Sequence, residues 1–350
     1  MIRAGLATLA AALAMTGLPS KPVAADVVTS ILDFSQLDGW EEDDHQTAMQ
    51  VFLSTCGDMD DPDWRALCAL ASVQQGNAKT FFELFFVPVL IRDEDTPALF
   101  TGYFEPELEG ARAPDERFRY PVYRMPPEAR ATDRWLSRAE IESDTALAGR
   151  GLEIAWVDDP VELFFLQIQG SGRIHLPDGD YIRVGYAGAN GHDYRSIGQE
   201  LVRRGVYQSH QVSAQVIKNW VRRNPEDGQT LLHHNPSYVF FREVNEVPPE
   251  FGPLGAMNRS ITKGRSIAVD PAYVPLGAPV WIEKEGAVPM HRLMIAQDTG
   301  SAIKGPQRAD VFMGTGDAAG REAGRMRDGG RLIALLPIQR AYAMLPPGVE

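Results

Sequence analysis

The 350-residue chain reads as mainly β with helices gathered toward its N-terminus, and a small β-barrel is the favoured architecture. Three observations carry this reading. Alternating, aromatic-rich runs begin at Ala98 and recur to Pro337, as short strands do. The 32 glycines and 25 prolines punctuate these runs too closely for the strand–helix alternation of a doubly wound sheet. Helical patterns, by contrast, concentrate in residues 30–85.

Within residues 30–85 the run HQTAMQVFLSTC predicts one helix. DPDWRALCALASVQQ predicts a second, with Asp61 or Asp63 near its N-cap and Pro62 at its start. NAKTFFELFFVPVLI places a third before Pro88. ALFTGYFEPELEG then alternates as a strand, and residues 110–135 are loop-like, with Pro114, Pro121, Pro126 and Pro127. Residues 138–150 read as a short helix. LEIAWVDDP, VELFFLQIQGSGRIHLPDGDYIRVGYAG and SYVFFREV read as strands, with Pro177-Asp178-Gly179 as a hairpin turn. Residues 196–223 predict two helices. From Arg265 the chain is β again, through RSIAVDPAYVPLGAPVWIE, RLMIAQDTG, ADVFMGTG and RLIALLP.

The first 25 residues stand apart from any domain. Arg3 supplies a positive start, residues 4–19 are uncharged, and Val23-Ala24-Ala25 presents small residues at the spacing of a signal-peptidase site. A secretory signal cut after Ala25 is expected, and the apolar run is shorter than the roughly 20 residues that span a bilayer. No cysteine lies near that cut to take a lipid. Loss of Arg3 and Lys21 would carry the net charge from −13 to −15. Export permits a disulfide, and Cys56 and Cys68, the only cysteines, are the expected pair. Two cysteines exclude a disulfide-dense scaffold and a four-cysteine zinc site. The acidity argues against nucleic acid as a partner, because phosphate binding needs a basic face.

Three clusters of residues could carry chemistry. Asp270, Asp298 and Asp310 each sit in or at the end of an apolar run, where a carboxylate is costly to bury and its pKa can rise into the range of a general acid. Gln167 and Gln169, taken as one face of a strand and followed by Gly170-Ser171-Gly172, offer paired amides for sugar hydroxyls and N-acetyl groups. The stretch Thr101-Gly102-Tyr103-Phe104-Glu105-Pro106, with Tyr186 and Tyr238 further on, offers aromatic faces to stack on sugar rings, although strand tyrosines more often simply pack. Other chemistries fail: Gly170-Ser171-Gly172 is neither a phosphate loop nor a nucleophile elbow, and the histidines show no zinc spacing.

The stretches FTGYFEPELEG, WVDDPVELFFLQIQGSGRI, RVGYAGANGHDYRSIG, GPLGAMNRSITKGRSIAVDPAYVPLG and IAQDTGSAIKGPQRADVFMGTG, in this order, resemble the membrane-bound lytic murein transglycosylase A family. The resemblance implies cleavage of the β-1,4 bond between N-acetylmuramic acid and N-acetylglucosamine in peptidoglycan, giving 1,6-anhydromuramoyl ends. No cofactor and no metal are implied. The implied architecture is a double-psi β-barrel catalytic domain (residues 26–104 with 241–350, its three-aspartate unit at about 260–340) interrupted by an inserted β-domain (105–240). Matched to the family's motifs, Asp310 is the catalytic aspartate, with Asp298 and Asp270 supporting it. Thr101, Tyr103, Glu105, Gln167, Gln169, Gly170, Ser171, Gly172, Tyr186 and Lys304 fall among the substrate-binding candidates. The expected partner is the peptidoglycan glycan strand, and the expected location the periplasm, with outer-membrane association open because a lipid-bearing cysteine is lacking. A two-aspartate hydrolase, a non-catalytic peptidoglycan-binding protein and an envelope interaction module acting through residues 30–95 are the alternatives.

Overall fold

A computed structural model describes residues 27–93, 96–143 and 146–344. The expected signal segment lies outside them. Among the described residues, fifteen strands form two sheets. The first sheet contains β1 (Val27–Ile31), β2 (Phe86–Asp93) and β3 (Leu99–Glu105). The second takes the next six: β4 (Glu107–Ala111), β5 (Tyr120–Tyr123), β6 (Glu153–Val157), β7 (Ser171–His175), β8 (Tyr181–Ala189) and β9 (Val239–Glu243). The chain then returns to the first sheet with β10 (Ser266–Val269), β11 (Pro279–Lys284), β12 (Met290–Asp298), β13 (Arg308–Thr315), β14 (Arg327–Asp328) and β15 (Gly330–Pro337).

The order of the first sheet is β1-β2-β15-β11-β12-β10-β13-β3-β14. Two of its pairings, β10 with β12 and β13 with β3, are parallel. This order is open at both ends, so the closed barrel expected from the sequence is not found among the described residues. The second sheet runs β5-β6-β4-β7-β8-β9.

Three N-terminal helices cover the first sheet: α1 (His45–Thr55), α2 (Pro62–Val73) and α3 (Ala78–Phe85). Their caps follow local chemistry. Asp44 accepts from Thr47 N, and Asp61 accepts from Asp63 N with Pro62 at the first helical position. Phe52, Phe81, Phe82, Phe86 and Trp281 are buried between these helices and the sheet. Cys56 and Cys68 join the end of α1 to α2 as a disulfide with Cα atoms 5.5 Å apart. The N-terminal region is not purely helical, because β1 pairs with β2.

Short helices α4 (Pro127–Arg130) and α5 (Arg138–Ser143) precede the main departure from expectation. The run PVELFFLQIQ is not a strand but helix α6 (Pro160–Gln169). Asp159 caps it by accepting from Val161 N and Glu162 N, Pro160 starts it, and Gly170 ends it at φ 80°. Its buried residues, Val161, Leu163, Phe164, Leu166 and Gln167, follow a helical stripe that the brief alternation at 165–169 obscured. α7 (Ile197–Arg203) and α8 (Ala214–Arg223) fall where two helices were expected. A third, α9 (Pro225–His234), follows them, and all three pack with α6 around Phe164, Leu201 and Leu231. Helices α10 (Gly316–Ala323) and α11 (Ile338–Ala343) complete the fold.

Candidate functional site

The site begins with a strand pairing. In the parallel pair β13–β3, Asp310 stands opposite Thr101, and on its other side Asp310 pairs with Ala268 of β10. Thr101 donates its hydroxyl to Asp310 Oδ1 at 2.6 Å. Tyr103 lies two residues along β3, on the same face, and donates its hydroxyl to Asp298 Oδ2 at 2.9 Å. Asp298, the last residue of β12, also accepts on Oδ1 from the backbone N–H of Ala256 (3.0 Å) and of Thr299 (2.9 Å). Tyr103, Asp298 and Asp310 border one cavity of about 220 Å³.

The two carboxylates differ in what reaches them. Asp298 has donors on both oxygens, yet burial still pushes its pKa up to about 6. Asp310 is raised as well, by burial, with Thr101 and the charge of Arg308 opposing the rise. Among the described residues no hydrogen bond reaches Asp310 Oδ2, which leaves that oxygen for a ligand. Burial and the adjacent Asp298 keep the Tyr103 phenol protonated, so it remains a donor.

The opposite wall of the cavity comes from the segment between the two halves of the first sheet. Arg138, Gln167, Gln169, Tyr194, Asn235 and Ser237 line it. Arg138 is 1% exposed and stacks on the rings of Phe164 and Tyr238. It donates to Gln167 Oε1, to the carbonyls of Asn235 and Ser237, and to Glu142. The wall is therefore preorganised by a buried guanidinium. Gln169 Oε1 accepts from Phe104 N at 3.0 Å and ties α6 to β3. Both glutamines reach the cavity from the end of a helix and not from the strand face expected.

Other candidates lie elsewhere. Asp270 is outside the cavity lining. Its carboxylate accepts from Ala272 N and, at 2.9 Å, from Gly305 N, so it anchors the turn that follows Asp298. Glu105 is fully buried in a charge cluster. It meets Arg173 Nε at 3.0 Å and Arg183 Nε at 2.9 Å, and accepts from Thr315 Oγ1 at 2.8 Å. Gly170 ends α6, Ser171 is buried in β7, and a Cβ on Gly172 would meet Leu166 Cδ1 at 2.4 Å, so this trio packs and does not face the cavity. Tyr186, 57% exposed, borders a separate surface depression with Arg124 and Arg130. Lys304 is exposed and does not line the cavity.

The sequence reading missed Arg138, Tyr194, Asn235, Ser237 and Arg308. Arg308 had a signal, because it lies two residues before Asp310 and strand periodicity puts both on one face. Arg138 had none, because its partners Asn235 and Gln167 are 97 and 29 residues away. No cluster of histidine, cysteine and carboxylate residues suited to a metal occurs among the described residues.

A carboxyl group with one unoccupied oxygen, facing a polar and aromatic wall between two sheets, is the equipment of an enzyme acting on a sugar chain. Comparison with known proteins agrees. Residues 99–242 match the MltA specific insert domain and residues 265–336 the 3D domain. The chain is 36% identical over 270 residues to membrane-bound lytic murein transglycosylase A of Vibrio cholerae serotype O1, covering 73% of this chain and 70% of that one. The structure of a membrane-bound lytic murein transglycosylase from Agrobacterium tumefaciens superposes with a TM-score of 0.79 at 33% identity, over 90% of this chain and 99% of that one. E. coli MltA with bound chitohexaose superposes with a TM-score of 0.71 at 28% identity, over 84% and 90% of the two chains. The chain belongs to the membrane-bound lytic murein transglycosylase A family.

Proposed function

We propose that this protein is a peptidoglycan lytic transglycosylase whose catalytic group is Asp310. It cleaves the β-1,4 bond between N-acetylmuramic acid and N-acetylglucosamine and leaves 1,6-anhydromuramoyl ends. The observation that carries the assignment to Asp310 is its free Oδ2 on a carboxyl raised by burial, beside an Asp298 whose oxygens are both engaged. The capture of chitohexaose by the E. coli relative supports an amino-sugar chain as the occupant of the cavity.

Protonated Asp310 gives its proton to the glycosidic oxygen, the C1–O bond breaks, and N-acetylglucosamine leaves with its 4-hydroxyl restored. Positive charge develops at C1 of the muramic residue. The C6 hydroxyl of that same sugar attacks C1 and returns its proton to Asp310, so no water is consumed and one carboxyl serves as acid and then base. The intramolecular hydroxyl acts at high effective concentration. Hydrolysis would need a second carboxylate free to activate water or attack C1. Asp298, with three donors on its two oxygens, is placed to hold the loop at residues 256 and 299 instead.

The domain reading that accompanies this is a double-psi β-barrel from residues 26–104 and 241–350 with an inserted domain at 105–240. The two parallel pairings in the first sheet and the bounds of the two family matches support it. A cleaved signal over residues 1–25 and residence in the periplasm fit the family and the Cys56–Cys68 disulfide. No helix among the described residues is long and apolar enough to cross a membrane.

Purified protein incubated with sacculi should release muropeptides whose ends lack one water relative to reducing ends, read by mass spectrometry. Asp310→Asn should fold and lose turnover by at least about a hundredfold. Reducing ends, or an active Asp310→Asn variant, would overturn the assignment.

A further inference from the structure

Among the described residues, the hydrogen-bonded path from Asp310 to a charged side chain runs through Thr101. Arg308 Nη2 donates to Thr101 Oγ1 at 2.8 Å, and its Nη1 donates to the carbonyls of Leu99 (3.2 Å) and Ala309 (2.6 Å). Three acceptors thus hold the guanidinium in one orientation. A guanidinium has no acceptor atom, so the Thr101 oxygen must accept from it. A hydroxyl has a single proton, and Thr101 must direct that proton to the 2.6 Å contact with Asp310 Oδ1. Oδ1 is then an acceptor whether Asp310 is ionised or not. The exchangeable proton of the neutral acid has only Oδ2 left to occupy, and that is the oxygen without a partner.

We infer that Arg308 is a positioning residue that acts through Thr101 to confine the transferable proton of Asp310 to Oδ2. The inference rests on the proposed role of Asp310 and adds to it which oxygen reacts and what decides this. Without the relay, the Thr101 hydroxyl can turn, and the proton can rest on Oδ1, facing the strand instead of the substrate. Register supports the arrangement, because Arg308, Asp310, Leu99 and Thr101 belong to one parallel pair in which Arg308 stands opposite Leu99 and Asp310 opposite Thr101.

The relay also sets the protonation balance of Asp310. The positive charge and the directed hydroxyl favour the ionised form, against the burial that favours the neutral one. The other titratable groups around it are Asp298 and Tyr103 beside it, Arg327 on β14 opposite Thr101, and Arg138 and Tyr194 across the cavity. Asp270 lies behind, occupied with the turn at Gly305. None of these touches Thr101 Oγ1, so removal of Arg308 changes the relay and leaves them in place.

The test is the pH dependence of kcat/KM on soluble glycan strands, whose basic limb follows the loss of the acid's proton in the free enzyme. Arg308→Met and Thr101→Val should each move that limb upward by about one pH unit. Each should also lower kcat about tenfold, with KM changed less than about twofold. Arg308→Lys keeps one charged donor and should retain the wild-type limb, as should Thr101→Ser, which keeps the hydroxyl. The double variant should be less impaired than the product of the two single effects. Melting curves verify that each variant is folded. A wild-type limb in folded Arg308→Met, or fully multiplicative losses in the double variant, would overturn the relay. An active Asp310→Asn would instead remove the reading on which it rests.

Discussion

Asp298 shows how one residue can support a site at a cost to stability. Its folded pKa of about 6 lies above the ordinary value near 3.8. The folded state therefore holds this proton more tightly than the unfolded chain does. The stabilisation from the raised pKa is complete below about pH 4 and is lost as pH rises through about 6. At neutral pH the ionised carboxylate is a strain that the three donors only partly relieve. Asp298→Asn should accordingly raise stability at pH 7.5 by about 2 kcal/mol and leave it nearly unchanged at pH 4, measured by denaturant titration at both values. The asparagine can keep the backbone donors on its Oδ1, and the Tyr103 hydroxyl can turn to accept from its amide. Equal effects at the two pH values would show that Asp298 is not perturbed. At this scale Asp298 and Asp310 were legible as candidates, since an acid inside an apolar strand run stands out, and the fold brings both to one cavity. Glu105, Ser171 and Tyr186 do not line that cavity, and the sequence could not tell them apart from residues that do, because a polar residue in a strand motif has the same spacing whether it binds a ligand, seals a joint or faces solvent.

Between the elements, Glu105 acts as the joint. It ends β3 in the first sheet and meets Arg173 on β7 and Arg183 on β8 in the second. Those arginines also donate to the carbonyls of Pro249 and Phe251, on the segment by which the chain returns to the first sheet. One buried carboxylate thus ties both sheets and the return segment together. Removing it strands two guanidinium groups with little water to replace it. Glu105→Ala should cost roughly 3–5 kcal/mol of stability, read from denaturant midpoints. A loss below about 1 kcal/mol would show that the joint does not depend on this charge. The elements themselves were unevenly legible. α1 and α2 announce themselves through Asp44, Asp61 and Pro62. α6 was hidden because its apolar residues are so dense that they satisfy a strand and a helix alike, and the cap at Asp159 and stop at Gly170 were the better evidence.

Over the whole molecule, a formal charge of −13 meets a cell-wall polymer that itself carries carboxylates. Repulsion of this kind acts at long range and is screened by salt, whereas hydrogen bonds in the cavity are little affected. Raising ionic strength from about 20 to about 150 mM should lower KM on peptidoglycan about two- to threefold with kcat unchanged. A rise in KM would point instead to attraction by a local basic surface.

The sequence by itself determined the family, the β-rich character, the N-terminal helices with their disulfide partners, and the strands that carry Asp298 and Asp310. These features depend on local pattern or on long motifs, and both are written in adjacent residues. Only the tertiary structure decided that Asp310 keeps one free oxygen, that Arg138 shapes the opposite wall, that Asp270 holds the turn at Gly305 and that Glu105 joins the two sheets. The physical reason is range. A hydrogen bond from Thr101 to Asp310 spans 209 residues, and nothing in either neighbourhood names the other until parallel strands set them side by side.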